Sequence, residues 1–528
     1  MDLILKEQLE EFYDKNAWRY LTLSDALENW SDIYKERIAV IDKNRKLSYE
    51  DLNSEVNFYS KGLLDKGIYK GDKIVLQLPN CLEFVIISFA LFRIGAIPIM
   101  ALPAHRKTEI KGIIEKSNAK AYISKDRYLG FSYTDMIRNI LGELSIDINV
   151  FVLGNNEEFD GFDSLKSDEK LENKIETDYK EIGLLLLSGG TTGIPKLIPR
   201  RHCDYLYVAE YAGKRCKLNG NTVYLAALPI AHNFPLDCPG IIGTLTYGGK
   251  VVICPTTSTD EIIPLIEKEK VTITGLVPAM ASMCIDFLET DDYDISSLEI
   301  LQVGGSVLDS YLAKKVESSF NCKLQQIFGI AEGLICCTDL EDDDYITYNT
   351  QGKPISRYDE ILVVDENDNE VEVGTYGELI VRGPYTIYGY YNSEDINKIC
   401  ITENCYFRTG DKARKLENGN YQVVGRLKEM INRAGEKIMP SEIEQILLNH
   451  ELISDVQVVG IPDGILGEKI GVFILDDEEK LTLNEIRRFL LEEGVAHFKL
   501  PDLIKYVRAW PLTSVGKIYK EKLKGLVL

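Results

Sequence analysis

Short apolar segments alternate with helical patterns along most of the chain, and this alternation restricts the folds available to it. The segment from Asp72 to Pro79, DKIVLQLP, is typical of a buried strand, and the CLEFVIISFALFRIG that follows predicts a helix ending at Gly95. The same alternation recurs at AYIS, NVFVLG, VYLAALP, KVVIC and ITGLVP. Strands that alternate with helices form parallel sheets covered by helices. We therefore predict an α/β fold for the larger part of the chain.

One later segment departs from this alternation. Residues 358–391 contain EILVVDENDNEVEVGTYGELIVRGP, in which apolar residues recur with a period of two between turn residues. This pattern predicts an antiparallel β unit.

The last hundred or so residues differ again. KLENGNYQVVGRLKEMINRAGEKI predicts a hairpin followed by a polar link, and DVQVVGIPD and KIGVFILDD predict strands. Two helices complete a small α+β unit, which has an ordinary domain size. The first has Ser441 and Glu444 as a capping box and an apolar face of Ile443, Ile446 and Leu447, and the second runs from Thr482 to Glu493. We expect a large N-terminal domain over 1–427 and a small, mobile C-terminal domain over 428–528.

Net charge narrows the possible partners. The chain of 528 residues has 83 Asp and Glu against 60 Lys and Arg, a net charge of −23. An acidic chain without a basic block is not expected to bind nucleic acid or anionic membranes non-specifically. A local glycine-rich loop can still hold phosphate in such a protein.

Cysteine usage and hydropathy indicate the compartment. Eleven cysteines are scattered between Cys81 and Cys405, without a CxxC pair or zinc spacing. They are typical of reduced thiols in a cytoplasmic protein. The N-terminus is acidic and unlike a signal peptide. The longest apolar run, from Phe84, is broken by Arg93, Gly95 and two prolines, so no membrane span is expected.

A glycine-rich loop carries the clearest chemistry. LLLLSGGTTGIPKLIP, from Leu184 to Pro199, places a flexible turn directly after a buried strand. Backbone amides, hydroxyls and an ammonium together can cradle a polyphosphate, although the loop lacks the GK[ST] of a Walker motif. The alternative is a structural turn with solvated hydroxyls. The residues predicted to hold the phosphates are Ser188, Gly189, Gly190, Thr191, Thr192, Gly193 and Lys196.

Several motifs together resemble those of the adenylate-forming superfamily. SGGTTGIPK is followed in the family's order by FGIAEG (Phe328 to Gly333), YFRTGD (Tyr406 to Asp411), GRLKEMINRAGEKI (Gly425 to Ile438) and SVGKI (Ser514 to Ile518). The segments LPAHRKTEI, LIPRRHCDY, LPIAHNFPLDCPG and NTQGKPISRYDE further resemble stand-alone aryl acid–AMP ligases of siderophore and peptide biosynthesis. The resemblance implies that an aryl carboxylate and ATP form an aryl-adenylate and pyrophosphate, and that an aryl carrier protein then takes the acyl group on its phosphopantetheine thiol.

The same resemblance implies roles around ATP. Glu332 is the expected Mg²⁺ ligand, since a hard cation prefers oxygen. Phe328 would stack on adenine, Gly304 and Gly305 would let the backbone approach the purine, and Asp411 and Arg426 would hold the ribose. Outside their motifs, these residues have ordinary explanations: a solvated carboxylate, a core aromatic or a residue in a surface turn.

Two lysines are predicted to organise the reaction. Lys517 would bridge the attacking carboxylate and the α-phosphate, cancelling charge between two anions. Lys428 would be the hinge about which the small domain rotates, bringing the Ala434-Gly435 segment to the active site and opening a pantetheine channel. A solvated lysine is the alternative for each.

HNFPLDC is predicted to shape the acid pocket. A lone histidine among apolar residues is more often a satisfied core residue, but the resemblance places His232 in the pocket wall. The other implied pocket residues are Asn233, Phe234, Cys238, Gly305 and Ile335. Cys238 would lie near the ring 3-substituent, where sulfur disfavours a hydroxyl and favours salicylate over 2,3-dihydroxybenzoate. Asp237 would repel a benzoate if it faced the pocket, so we expect it to point away.

Two other functions remain open from the sequence. The first is an acyl- or aryl-CoA synthetase, which shares the first half-reaction. The second is a non-catalytic nucleotide-binding protein. That protein would have lost at least one of five residues that are all present here: Lys196, Glu332, Asp411, Arg426 and Lys517.

Overall fold

The computed structural model describes residues 1–144, 146, 148–188, 194–434, 436–513 and 516–527. Its helices are α1 (Leu3–Asn16), α2 (Leu23–Tyr34), α3 (Tyr49–Asp65), α4 (Leu82–Arg93), α5 (Lys107–Ser117), α6 (Tyr133–Leu144), α7 (His202–Arg215), α8 (Asn233–Asp237), α9 (Gly240–Thr246), α10 (Thr259–Glu269), α11 (Pro278–Leu288), α12 (Ser310–Phe320), α13 (Asp344–Asn349), α14 (Glu394–Cys400), α15 (Pro440–Leu447), α16 (Leu483–Glu492) and α17 (Lys520–Lys524). Short 3₁₀ helices span Phe162–Leu165, Leu427–Glu429 and His497–Lys499.

The first eighteen strands are β1 (Ile38–Asp42), β2 (Arg45–Ser48), β3 (Lys73–Gln77), β4 (Ile97–Met100), β5 (Ala121–Lys125), β6 (Arg127–Tyr128), β7 (Phe131–Ser132), β8 (Asn149–Leu153), β9 (Asp160–Gly161), β10 (Ile182–Leu187), β11 (Leu197–Arg201), β12 (Val223–Ala226), β13 (Lys250–Ile253), β14 (Ile273–Leu276), β15 (Ile300–Gly304), β16 (Lys323–Ile330), β17 (Leu334–Cys337) and β18 (Lys353–Pro354). The remaining strands are β19 (Glu360–Val364), β20 (Gly377–Arg382), β21 (Phe407–Lys415), β22 (Tyr421–Arg426), β23 (Ile431–Arg433), β24 (Glu436–Ile438), β25 (Val456–Asp463), β26 (Gly467–Leu475) and β27 (Leu503–Val507).

Two large sheets are mainly parallel, as the strand–helix alternation predicts. One has nine strands in the order β18-β17-β16-β15-β14-β12-β13-β1-β2, and the other has seven in the order β11-β10-β4-β3-β5-β8-β9. Among the described residues, the antiparallel pairs of these sheets lie toward their edges, at β1–β2, β16–β17, β17–β18 and β10–β11. Parallel β14, β15 and β16 therefore present their carboxyl ends along one edge, where ligands bind in such sheets.

Helix α4 shows why the core of this region is continuous. Every residue of α4 except Glu83 is buried, and the helix contacts β1 of one sheet and β4 of the other. A helix that is apolar on all sides is stable only when it is enclosed in this way.

The predicted antiparallel unit is present and larger than expected. Strands β19, β20, β21 and β22 form a four-stranded antiparallel sheet. Its last two strands form the hairpin that the sequence predicts before residue 427, and they place Asp411 directly opposite Arg426.

The chain ends in a sheet formed by β23–β27, with its own apolar clusters. The larger cluster contains Ile443, Leu447, Val458, Val472 and Ile486, and the smaller one is centred on Phe473. Helix α16 begins as predicted, with Thr482 and Glu485 forming a capping box.

Two local predictions in this region are wrong. The expected polar link contains a short hairpin, β23–β24, because Ile431 and Ile438 pair and bury their side chains. Helix α15 begins at Pro440 without a side-chain cap. Ser441 Oγ instead donates to Val424 O at 2.6 Å, and Glu444 Oε1 accepts from Val458 N, so the expected capping box is absent.

The cysteines behave as predicted within the structure. All eleven are free, and nine of them are buried. Across the described ranges, no helix combines the length and apolar character that crossing a bilayer requires.

Candidate active site

A cavity lies where the C-terminal sheet region meets the carboxyl ends of the nine-stranded sheet. Four of the residues predicted from the sequence line it together: His232, Phe234, Gly305 and Lys517. Leu228, Pro229 and Val277 complete the lining. The apolar walls and the single ammonium suit a small ligand that joins an apolar ring to an anionic group.

Gly305 follows β15 and allows Lys517 to enter this cavity. Its φ is +90°, and an added Cβ would lie 3.2 Å from Lys517 Cε and 3.3 Å from Val277 Cγ1. At the preceding Gly304, a Cβ would lie 2.5 Å from Ile327 O. Gly305 therefore requires glycine because of its backbone conformation. Both Gly304 and Gly305 also require it because other atoms approach them closely.

Lys517 carries its charge in an unfavourable environment. Burial, and then the charge of Arg426, lower the pKa of Lys517 to about 8, although Asp411 and Glu429 act in the opposite direction. An ammonium held this way gains strongly from an anionic partner.

His232 has a structural role besides lining the cavity. Its Nδ1 accepts from Phe234 N at 3.2 Å and caps α8, and burial lowers the pKa of His232 to about 3. The imidazole is therefore a neutral wall, and Lys517 supplies the positive charge at this cavity.

Asp411 and Arg426 form a pair suited to a diol. Arg426 Nε lies 3.0 Å from Asp411 Oδ1. Burial raises the pKa of Asp411 to about 6, and Arg426 opposes that rise. The other oxygen, Oδ2, is buried and has no donor among the described residues. A carboxylate with one anchored and one free oxygen can accept from ribose hydroxyls.

Glu332 lies between β16 and β17 and is oriented by a tyrosine that the sequence analysis missed. Tyr390 Oη donates to Glu332 Oε1 at 2.8 Å, and Lys196 Nζ lies 4.6 Å from the centre of the Tyr390 ring. Burial, and then Glu332, raises the pKa of Tyr390. Tyr390 comes from the loop after β20, and only the fold brings it to Glu332.

The predicted phosphate loop is closed at its base. Ser188 N donates to Lys196 O at 3.0 Å, and Lys196 N donates to Ser188 Oγ at 3.0 Å. These bonds extend the β10–β11 pairing by one step, so both ends of the loop are fixed. Gly189, Gly190, Thr191, Thr192 and Gly193 lie outside the described residues.

Strands β16 and β17 carry two further predicted residues. Phe328 is half-buried and pairs with Cys336, whereas Ile335 is buried in the same apolar cluster as Phe234 and Cys238. Ile335 N donates to Tyr385 Oη at 3.2 Å, which fixes the position of β17, but Ile335 is not among the residues that line the cavity. The predicted hinge, Lys428, is exposed in the 3₁₀ turn that follows β22.

A chain of polar contacts lies beside the cavity, around α8. Tyr205 Oη donates to Asn233 Oδ1 at 2.7 Å, and Asn233 Nδ2 donates to Cys238 Sγ at 3.4 Å. Asp237 is fully buried next to this chain. Tyr205 was not singled out from the sequence, because nothing local distinguishes it from the other tyrosines of α7.

Among the described residues, no group of three or more His, Cys, Asp and Glu side chains could hold a metal ion. A site with a single carboxylate fits Mg²⁺, which keeps several waters and is shared with substrate phosphates.

Family comparison agrees with this geometry. Residues 27–391 match the AMP-binding enzyme family, and residues 442–517 match the AMP-binding enzyme C-terminal domain. The chain belongs to the AMP-binding enzyme family. Both matched regions contribute to the cavity, the first through Gly305 and the second through Lys517.

Individual members of the family are similar over nearly the whole length of this AMP-binding enzyme. It is 43% identical over 523 residues to the 2,3-dihydroxybenzoate-AMP ligase of Bacillus subtilis (strain 168), covering 99% of this chain and 96% of that protein. It is 39% identical over 504 residues to the salicyl-AMP ligase / salicyl-S-ArCP synthetase of Mycobacterium tuberculosis, covering 94% of this chain and 88% of that protein. The resemblance to aryl acid–AMP ligases is thereby confirmed.

A solved structure supports the fold. The apo structure of MbtA from Mycobacterium smegmatis aligns with a TM-score of 0.76 and 36% sequence identity, covering 98% of this chain and 97% of that one. The predicted α/β fold, with a large N-terminal and a small C-terminal part, is confirmed by this alignment.

Proposed function

We propose that this enzyme activates an aryl carboxylic acid, salicylate or 2,3-dihydroxybenzoate, as its adenylate and transfers the aryl group to a carrier protein. The observation that carries the proposal is the position of Lys517, which lies in one cavity with His232, Phe234 and Gly305. The similarity to ligases named for these two acids supports the choice of substrate class.

In the first half-reaction, a carboxylate oxygen of the acid attacks the α-phosphorus of ATP. The bond from this phosphorus to the bridging oxygen breaks, and pyrophosphate leaves. Lys517 would hold the carboxylate and an α-phosphate oxygen together, and its charge would offset the repulsion between the two anions. The low pKa of the buried Lys517 supports this role, because two anions would stabilise the ammonium there.

The remaining cations and acceptors would hold the nucleotide. Ser188, Lys196 and the loop between them would cradle the β- and γ-phosphates, while Asp411 and Arg426 would bind the ribose hydroxyls. Phe328 would stack on adenine, and the backbone at Gly304 and Gly305 would approach the purine.

Glu332 would hold Mg²⁺, with Tyr390 orienting the carboxylate. When bound, the ion neutralises charge on the phosphates.

In the second half-reaction, the thiol of a phosphopantetheine arm attacks the acyl carbon, and AMP leaves with the former carboxylate oxygen. We propose that domain 428–528 rotates on domain 1–427 about Lys428 between the two steps. The separate apolar clusters of the C-terminal sheet and the exposed position of Lys428 support this motion. Ala434, at φ +53°, and Gly435, outside the described residues, would then line the channel for the arm.

The acceptor and the cellular location complete the proposal. The acceptor is an aryl carrier protein or a carrier domain of a peptide synthetase, in siderophore or nonribosomal peptide synthesis. The eleven free thiols support a cytoplasmic location, where thiols stay reduced.

The test follows both half-reactions in one vessel. The enzyme, MgATP and either acid should yield the aryl-adenylate by mass spectrometry, and a phosphopantetheinylated aryl carrier protein should then become acylated. Free CoA serves as the competing acceptor. Faster, saturable acylation of CoA would identify an aryl-CoA synthetase and reject the carrier assignment, while absence of any adenylate would reject the function.

A further inference from the structure

Lys517 lies on a turn whose two arms are hydrogen-bonded to each other. The arms, 511–513 and 516–519, form an antiparallel bridge, and we call them together the Lys517 turn. Thr513 N donates to Lys517 O at 2.6 Å, and Lys517 N donates to Thr513 Oγ1 at 3.1 Å. Because the arms are bonded to each other, the contacts at the two ends of the turn determine where Lys517 is held.

The turn lies close against the N-terminal part of the chain. A Cβ added at Gly516, whose φ is +79°, would lie 3.1 Å from Val277 Cγ2, and one added at Gly305 would lie 3.2 Å from Lys517 Cε. Groups that take part in a reaction must be held to within about 0.5 Å, and a displacement of about 1 Å can cost about 10²-fold in rate. The C-terminal part must therefore hold the turn to that tolerance.

Trp510 attaches the first arm to the C-terminal part. Its Nε1 donates to Asp455 Oδ2 at 2.6 Å, and its ring packs with Ile518 against the apolar cluster around Phe473. Apolar contacts stabilise this attachment, but they are non-directional and do not fix the angle of the turn. A polar contact on the second arm would fix that angle.

Lys520 makes such a contact, directly after the second arm. Its Nζ lies 3.2 Å from Glu444 Oε1 on α15 and 3.9 Å from Glu429 Oε2 in the 3₁₀ turn that contains Lys428. Glu444 Oε1 also accepts from Val458 N at 2.7 Å, so this carboxylate is itself held in place. Lys520 therefore connects the second arm to α15 and to the predicted hinge.

The ion pair of Lys520 and Glu444 is mostly shielded from water. The two side chains are 25% and 15% exposed. Burial opposes the charge on Lys520, but Glu444 and then Glu429 raise its pKa above the usual value, so the ammonium is charged near pH 7. Exposed ion pairs contribute little because both side chains are mobile and solvated, whereas a shielded, charge-assisted hydrogen bond has a defined geometry. This pair can therefore fix the direction of the turn.

We propose that Lys520 is a positioning residue for adenylate formation, which bridges Glu444 and Glu429 and thereby holds the Lys517 turn so that its ammonium enters the cavity. The inference rests on the proposed function, and it assigns Lys520 no contact with the substrate. A lysine that only supported the fold would matter equally to both half-reactions. A residue that positions Lys517 matters in the first half-reaction, where Lys517 acts.

The test follows the two half-reactions separately. Acid-dependent ATP–pyrophosphate exchange reports adenylate formation, and thioester formation is measured from supplied aryl-adenylate and a phosphopantetheinylated aryl carrier protein. The variants are Lys520→Met, Lys520→Arg, Glu444→Gln and the double variant Lys520→Met/Glu444→Gln. The matched control, Lys499→Met, breaks an ion pair with Glu442, which lies on the same helix two residues before Glu444 and so faces another side.

We expect Lys520→Met to lower the exchange rate about 10–10²-fold and to leave thioester formation within about threefold. The KM for ATP should also stay within about threefold, because ATP is held by other residues of the proposed site. Lys520→Arg keeps a cation that can bond to the same carboxylate and should recover most of the rate. Lys499→Met should leave both half-reactions within about threefold.

The double variant separates positioning from misfolding. Lys520→Met leaves a shielded carboxylate without its cation, which destabilises the fold. The double variant removes both charges, so its melting temperature should lie closer to that of the wild type while its exchange rate stays low. Its loss of exchange should be no greater than that of Lys520→Met or Glu444→Gln, because all three variants break one contact.

Three results would overturn the inference. Equal loss of both half-reactions in the double variant means that Lys520 is structural. An unchanged exchange rate in Lys520→Met, or fully additive losses in the double variant, means that the ion pair does not position Lys517. If the wild type itself forms no adenylate with any aryl acid, the proposed function is rejected, and the inference with it.

Discussion

Replacing Lys517 should slow the first half-reaction, adenylate formation, far more than the second, thioester formation. Lys517 supplies the ammonium at the cavity that it lines with His232, because His232 is neutral there and Arg426 is paired with Asp411. Removing one preorganised group that stabilises developing charge costs about 10²–10³-fold in rate, or about 2.7–4 kcal/mol. Lys517→Ala should therefore slow aryl-adenylate formation by at least this factor. Thioester formation from supplied adenylate should stay within about threefold, because that step has no α-phosphate attack to assist.

The pH dependence gives a second readout for the same residue. The ammonium form is the active one, and the pKa of Lys517 is lowered to about 8 in the free enzyme. The kcat/KM for the acid should therefore fall as pH rises through about 8, since this parameter reports groups of the free enzyme. Lys517→Arg keeps its charge above pH 10, so the surviving activity should lose this alkaline limb.

A stability measurement controls for misfolding of these variants. The folded state binds the proton of Lys517 less tightly than the unfolded chain does, so the destabilisation by this lysine grows as the pH falls from 10.5 and is complete below about pH 8. Lys517→Ala should therefore melt no lower than the wild type at pH 7. Equal loss of adenylation and thioester formation, or an alkaline limb that persists in Lys517→Arg, would refute the assignment.

Three further perturbations test other parts of the site. Arg426→Ala leaves Asp411 buried without its partner at 3.0 Å, so the pKa of Asp411 should rise further and ATP affinity, by calorimetry, should fall about tenfold. Tyr390→Phe keeps the ring beneath Lys196 but removes the 2.8 Å hydrogen bond to Glu332. The Mg²⁺ concentration that gives half-maximal ATP–pyrophosphate exchange should therefore rise severalfold. An unchanged concentration would exclude the orienting role of Tyr390. Phe473→Ala removes the central side chain of the smaller C-terminal cluster and should destabilise that region by about 3–5 kcal/mol. Calorimetry should then show a separate unfolding transition at lower temperature. A uniform shift of one transition would instead indicate that the protein unfolds as a single cooperative unit.

The fold was predictable wherever a local pattern of apolar residues indicates which side chains are buried. Strands such as β3 and β10 have an apolar centre, and α4 is mostly apolar, so each is recognisable without tertiary information. The β23–β24 hairpin was missed because Ile431 and Ile438 are the only buried residues among those described in its two strands, and two residues do not make a period. The prediction of a capping box at Ser441 was wrong because its hydroxyl donates to a tertiary acceptor, Val424 O.

The residues of the site show the same contrast between those marked by a local motif and those placed only by the fold. His232, Gly305 and Lys517 were identified through motifs, and the fold brings them to one cavity from distant segments. Tyr390 and Tyr205 act through partners far away in sequence, so no local pattern marks them. Asp237 was noticed only as a departure from small residues, and the burial of its carboxyl group without a hydrogen-bond partner among the described residues is visible only in three dimensions.

The most direct test of the central claim is acid-dependent ATP–pyrophosphate exchange. The wild-type enzyme is assayed with salicylate, 2,3-dihydroxybenzoate, benzoate, 3-hydroxypicolinate and short fatty acids, with Lys517→Ala as the matched inactive control. Our account predicts exchange with at least one hydroxylated aryl acid at a rate at least about 10²-fold above the control, and no more than background with the fatty acids. Exchange that depends on fatty acids, or no exchange with any aryl acid, would contradict it.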